Sequence, residues 1–289
     1  MIRTIQLALA VLVATLLSSS LWGQGYTFRS VSDPSDPTFT QLLGINNAGT
    51  IAGYYGATHN KGFTFVLPST FTAENYPGSA QTQVTGIDSK GETCGFYVDS
   101  KGVNHGFLLD GTKFRTIDDP GASFNHLLGR NDLEQVAGFY KDTLKNGHAY
   151  ISATVPGGVF EVFTFSNSLS VEATGINNSQ WVTGFYTDAG GNSHGFLLRA
   201  GTFKTVDFPD AIQTMARGLN NKDQVVGSYI DMSGFTHGFV YNLVRNTFTT
   251  IDHPDGVGSS VANGINDSGA IVGFYVNLEG NTEGFVATP

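Results

Sequence analysis

The chain has 289 residues and a formal charge of −9, with 24 acidic and 15 basic residues, 37 Gly, 22 Phe and 11 Tyr. Such aromatic content excludes a disordered chain, and few charges with abundant Gly suit a packed all-β protein with many tight turns. No basic run or stripe exists to neutralise phosphates, which argues against nucleic acid or an anionic membrane as partner.

The first element in chain order is a leader. Arg3 precedes an almost wholly apolar stretch from Ile5 to Leu17, and small residues follow at Ser18-Ser19-Ser20 and Gly23. A stretch of about 13 apolar residues falls short of the length a membrane-spanning helix needs. A cleaved signal peptide over 1–23 is therefore expected, followed by a single domain over 24–289. This predicts a secreted, extracellular protein (or a periplasmic one) with no membrane partner after signal removal. Cys94 is the one cysteine, so no internal disulfide can form and stability must come from packing.

The rest of the chain is periodic. A Gly-x-Asn/Asp segment recurs at Gly44, Gly86, Gly129, Gly175, Gly218 and Gly264, at intervals of 42, 43, 46, 43 and 46 residues. Nine residues after each start comes a second Gly followed by two mostly aromatic residues, as in Gly95-Phe96-Tyr97 and Gly184-Phe185-Tyr186. Nineteen residues after the start four repeats carry His105, His148, His194 and His237; Glu283 holds that offset in the sixth, and the first, two residues shorter, has Lys61. An aromatic-x-x-aliphatic-acid-x-Pro element closes the unit, at Phe114 to Pro120, Phe203 to Pro209 and Phe248 to Pro254, with looser copies at Phe71 to Pro77 and Phe160 to Ser166.

Each unit thus holds four short β-type runs separated by Asx-rich and Gly-rich turns, with no helical period. About 43 residues per four strands is the size of one blade of a β-propeller. The sixth unit stops after its third strand, and Phe28 to Pro34 supplies the missing element 16 residues before Gly44. The sequence therefore predicts a six-bladed β-propeller, four antiparallel strands per blade, closed by the N-terminal strand completing the last blade.

With His148-Ala149-Tyr150, the His-Gly-Phe triplets at His105, His194 and His237, and the Gly-Ile-Asn starts, the chain resembles the extracellular HAF-repeat family. The resemblance spans nearly all of the chain after the leader. It implies a secreted bacterial repeat protein and brings no established activity or catalytic residue.

The four repeat histidines invite a metal reading, but blades fan out from the axis, so equivalent side chains cannot converge on one ion. They are expected to be hydrogen-bonded struts within each blade, with Asp118, Asp207 and Asp252 as partners. Asp99, Asp142, Asp188 and Asp231 share one offset on the loop face; calcium sites are one reading, and Asx turns are favoured because no loop spaces its carboxylates as a calcium loop does. No cofactor and no metal site are otherwise implied. Cys94 and the aromatics read as core, and Trp181, flanking a turn, as packing.

Ligand contacts are sought where one repeat breaks the rule. Arg130 replaces the Ile or Leu after the repeat Gly, Arg217 stands one residue before its Gly, and both belong to innermost strands beside the channel. His126 and His253 lie in loops entering and leaving blades. No nucleophile elbow, zinc motif or phosphate loop is present, and the innermost strands offer mainly Asn46, Asn131, Asn177, Asn220 and Asn266, with Asp88 the exception. These features favour a monomeric, non-enzymatic binding or scaffold module for an extracellular protein or glycan. The alternatives are a propeller-type polysaccharide hydrolase or lyase, and a multivalent lectin with sites in the inter-blade grooves.

Overall fold

A computed structural model describes residues 25–119, 122–154 and 158–289; the signal peptide expected over 1–23 and Pro120 lie outside the described residues. The described chain forms 24 strands in six four-stranded antiparallel sheets, and each blade runs from an innermost first strand to an outer fourth. The first strands are Thr40–Ile45, Gln81–Ile87, Phe124–Arg130, Ser170–Ile176, Gln213–Leu219 and Ser260–Ile265, and each touches the first strand of both neighbouring blades. The ring closes as the sequence predicts. Strand Thr27–Val31 pairs antiparallel with Thr282–Thr288, from Thr27 opposite Thr288 to Val31 opposite Gly284.

Local chemistry explains the repeat. The Asx residue opening each first turn accepts backbone N–H groups two and four residues on, as Asn46 Oδ1 does from Ala48 (3.1 Å) and Thr50 (2.9 Å). The turn then needs a left-handed residue, supplied by Gly49, Gly91 and Gly269, or by Glu134, Gln180 and Asp223 at φ of 58–60°. The aromatic residue after the third-strand Gly, or after Ala149 in the third blade, is the centre of each blade: Phe63, Phe107, Tyr150, Phe196, Phe239 and Phe285 are at most 1% exposed. Each ring lies over the second-strand glycine; a Cβ on Gly184 would meet Phe196 at 2.8 Å.

The repeat-opening glycines are fixed by the neighbouring blades. A Cβ on Gly129 would sit 2.8 Å from Gly175 Cα, and one on Gly264 3.2 Å from Gly44 Cα. Six strands approach one axis, and only hydrogen fits between their backbones. Gly129→Ala should therefore cost about 1–3 kcal/mol by overpacking. Thermal unfolding should show a midpoint several degrees below wild type; an unchanged midpoint would count against this packing.

Candidate functional site at the axial channel

In every first strand the pairing with the second slips by one residue, between Leu42 and Gly44, Val84 and Gly86, Leu127 and Gly129, Ala173 and Gly175, Ala216 and Gly218, and Ala262 and Gly264. The extra residue of a bulge is freed from the ladder and its side chain re-aimed. Here the six bulge residues, Leu43, Thr85, Leu128, Thr174, Arg217 and Asn263, line one cavity on the axis. Three of them staple the next blade: Thr85 Oγ1 donates to Leu127 O (2.8 Å), Thr174 Oγ1 to Ala216 O (3.0 Å), and Asn263 Nδ2 to Leu42 O (2.9 Å).

Arg217 behaves differently. Its guanidinium bonds only within its own blade, Nε to Ser228 Oγ (3.3 Å) and Nη2 to Met215 Sδ (3.4 Å), and among the described residues no carboxylate lies within 4 Å. Burial lowers its pKa, while the charge field of Glu172 and Tyr54 opposes that shift. Burial raises the Glu172 carboxyl, against the lowering influence of Arg217 and Lys141. Tyr54 is pushed up to about 12 by burial, although Arg217 lowers it, and its Oη donates to Gln41 Oε1 (2.9 Å).

Glu172 and Tyr54 occupy two offsets that face each other across the first and second strands of each blade. Gln41, Gln83, His126, Glu172, Met215 and Val261 stand three residues before the repeat glycines, opposite Tyr54, Phe96, Phe139, Phe185, Ser228 and Phe274 on the second strands. His126 belongs to this set, on strand Phe124–Arg130 and not in a loop as the sequence predicts. Its ring stacks 3.4 Å from Phe96 and 4.0 Å from Phe124 by centroids, and Nε2 meets Asn104 Oδ1 (3.0 Å). Burial, with Lys141 nearby, holds its pKa well below the ordinary histidine value. Glu172 and Tyr54 escape the sequence reading, yet a signal exists. At the offset of Glu172 six otherwise matching repeats carry five different side chains, and at that of Tyr54 a hydroxyl replaces the usual Phe.

At the channel end lined by the first-turn residues, side-chain amides join neighbouring blades at five of the six steps. Asn46 Nδ2 donates to Asp88 O (2.9 Å), Asn131 to Asn177 O (3.0 Å), Asn177 to Asn220 O (3.0 Å), Asn220 to Asn266 O (3.0 Å), and Asn266 to Asn46 O (3.1 Å). Asp88 has no N–H to give in its place in the ring. Arg130, one blade on, meets its carboxylate instead, Nε to Oδ2 at 3.1 Å. The rest of the guanidinium reaches Asp110 (2.9 Å), Glu92 (2.6 Å) and Glu134 (3.4 Å), and its side chain has no exposed surface. Arg130 is thus not displayed to the channel as the sequence reading expects. Its side chain turns into the interface between blades 2 and 3, because that is where its counter-charges lie. Removing one partner of a buried pair leaves the others uncompensated, so Arg130→Ala should cost about 3–5 kcal/mol, read by chemical denaturation. A loss below about 1 kcal/mol, the level of surface ion pairs, would contradict this assignment.

The repeat histidines sit between carboxylates. His105 Nδ1 donates to Asp118 Oδ2 (2.6 Å), His194 to Asp207 (2.8 Å) and His237 to Asp252 (2.7 Å). Nε2 of His194 and His237 faces the turn residues Asp188 (3.4 Å) and Asp231 (3.3 Å). His148, whose blade lacks the closing acid, meets Asp142 alone (3.2 Å). In blade 6, Asn277 Nδ2 donates to Glu283 Oε1 (2.6 Å), the same strut with donor and acceptor exchanged. The turn aspartates also accept backbone N–H groups, as Asp99 does from Lys101 (2.8 Å) and Val103 (2.9 Å), so their oxygens are committed to the turn.

His253 is another departure from expectation. It is 4% exposed, not displayed on the loop face. It stacks on Tyr275 (3.8 Å), packs edge-on to Phe28 (5.4 Å) and bonds Ser30 Oγ (3.2 Å), tying the N-terminal strand into the last blade. Burial lowers its pKa.

His194 and His237 have raised pKa values: burial opposes their charge, and the bonds to Asp207 and Asp252 outweigh it. A raised folded pKa gives stability that is full below the unfolded value of about 6.5 and lost as pH rises through the folded value. The stability difference between wild type and a His194→Gln/His237→Gln variant should therefore be larger at pH 5.5 than at pH 8.5. A difference independent of pH in thermal melts would contradict the charged strut.

No protein-family profile matches the sequence, and no curated protein does. Solved structures do resemble it. A putative TolB from Agrobacterium tumefaciens superposes with a TM-score of 0.62 at 11% identity, over 88% of this chain and 91% of that one. The Aleuria aurantia lectin, in complex with Fucα1-6GlcNAc, gives 0.56 at 12% over 86% and 91%. A virginiamycin B lyase from Staphylococcus aureus gives 0.53 at 12% over 91% and 99%. At such identities the likeness is one of fold.

Proposed function

We propose that this protein is a secreted, non-enzymatic binding module of the HAF-repeat kind, which takes an extracellular glycan or protein at the end of its channel that carries Arg217. One observation carries the reading. Arg217 is the single charged member of the bulge ring, and its guanidinium meets a hydroxyl and a thioether where Arg130 meets four carboxylates. A guanidinium poorly supplied with acceptors favours a ligand carrying a carboxylate or another planar anion, which it can hold with two parallel bonds. The Glu172 carboxyl and the Tyr54 hydroxyl, both within the charge field of Arg217, add polar contacts suited to a sugar or a peptide side chain.

The fold shared with a lectin is compatible with a sugar as ligand. A hydrolase or lyase on this scaffold would be expected to pair two carboxyl groups about 5–10 Å apart. Glu172 instead faces the charge of Arg217.

A glycan array probed with wild type, Arg217→Ala and Glu172→Gln separates these readings. The binding module predicts retention of an acidic ligand by wild type, a loss of about tenfold or more in Arg217→Ala, and no released product. Equal binding by Arg217→Ala would remove the channel mouth from the proposal. Turnover abolished in Glu172→Gln would make the protein an enzyme.

A further inference from the structure

We infer that the groove between blades 4 and 5, on the face that carries the asparagine ring, is a second ligand site, and that it takes an acidic saccharide unit. The groove has a volume of about 660 Å³ and is lined by Trp181, Leu197, Arg199, Lys204, Asp223 and Leu243, among others. That lies within the range of small-ligand sites.

The local fold explains why these side chains share one wall. Third strand Ser193–Arg199 turns through Ala200 and Gly201, both at positive φ, into fourth strand Thr202–Thr205. Leu197 pairs with Lys204 and Arg199 with Thr202, so all four project from the same face of blade 4. The Arg199 guanidinium lies 4.2 Å from the Trp181 ring centroid. The indole face attracts the cation, and among the described residues its N–H groups make no hydrogen bond or ion pair. Lys204 Nζ donates to Tyr241 Oη (2.8 Å). Among the described residues neither cation has a carboxylate within 4 Å, and the Asp223 carboxylate makes no ion pair. In a chain of charge −9 this is a locally basic groove without internal counter-ions.

The contrast with another interface is direct. At the offsets of Trp181 and Arg199, blade 2 carries Glu92 and Asp110, and Arg130 from blade 3 fills the space between them. At the offset of Arg130, blade 5 has Leu219, so the groove beside Arg199 stays open.

The chemistry selects the occupant. A carboxylate or sulfate on a pyranose can accept two bonds from the Arg199 edge and one from Lys204. The ring hydroxyls can donate to Asp223, and the C–H face can rest on the indole edge and on Leu197 and Leu243. A neutral sugar would leave both cations unmatched.

Trp181 is one of two tryptophans, the other being Trp22, so the intrinsic tryptophan fluorescence of protein lacking residues 1–23 reports directly on the groove. Wild type, Arg199→Ala, Arg199→Lys, Lys204→Ala and Arg217→Ala should each be titrated with trigalacturonate, a sulfated galactose trisaccharide and neutral trigalactose. The inference expects a saturable change with at least one acidic trisaccharide and none with the neutral one, and the preferred acid identifies the anionic group. Affinity should fall about tenfold or more in Arg199→Ala and in Lys204→Ala, and less in Arg199→Lys. Arg217→Ala should leave it unchanged, which keeps this site separable from the channel mouth. No saturable response, equal response to the neutral sugar, or equal affinity for a triglutamate peptide would overturn the inference. Arg199 and Lys204 are exposed, so their variants should melt with wild type.

Discussion

Everything in this molecule depends on how closely six β-strands can approach one axis. The backbones of the first strands come near enough that an added Cβ at Gly129 would fall 2.8 Å from the next blade's Gly175 Cα. That approach brings the asparagines two residues on within reach of the next blade's carbonyls, and the ring of side-chain amides follows. It also forces the bulge. A strand running straight past the axis would have to place a side chain where there is no room; slipping one residue lets that side chain point along the channel.

The two arginines near the axis show how sharply this geometry sorts side chains. Arg130 follows its repeat glycine and Arg217 precedes its own. The later position points into the contact between blades, where the other repeats bury Ile or Leu, and an arginine there needs a full set of counter-charges. The bulge position faces the cavity, and an arginine there keeps part of its bonding capacity free. Residue type alone makes the two equivalent; position relative to the bulge separates structure from recognition.

Much of the fold is legible in the sequence because its determinants are local and repeated: turn chemistry, glycines at fixed offsets, and a fourth strand found at the wrong end of the chain. The histidine pairs with Asp118, Asp207 and Asp252 are legible for the same reason, since one strut recurs in three blades. The second carboxylate on each ring is less so. Asp188 and Asp231 serve as turn formers and as partners of Nε2 at once, and the second role depends on how the hairpin folds back. The site is legible only in part because it is assembled across blades. Glu172, Tyr54 and Arg217 come from three different blades and meet through the ring, and no spacing along the chain records that. Nor does spacing record that His253 faces the N-terminal strand, whose partner lies more than two hundred residues away.

The asparagine ring and its one exception bear on how such a protein can be rearranged. Blades that carry asparagine at the axis are interchangeable there, because each gives one bond, each that follows another asparagine receives one, and none asks anything particular of its neighbours. Blade 2 and blade 3 form a matched couple: the carboxylate of one presupposes the guanidinium of the other. Shuffling, duplicating or deleting units can therefore proceed freely around most of the circle, but these two must travel together. A ring stitched from copies of blade 4 could close on itself, whereas one made from copies of blade 2 would set six carboxylates around the axis with nothing to answer them.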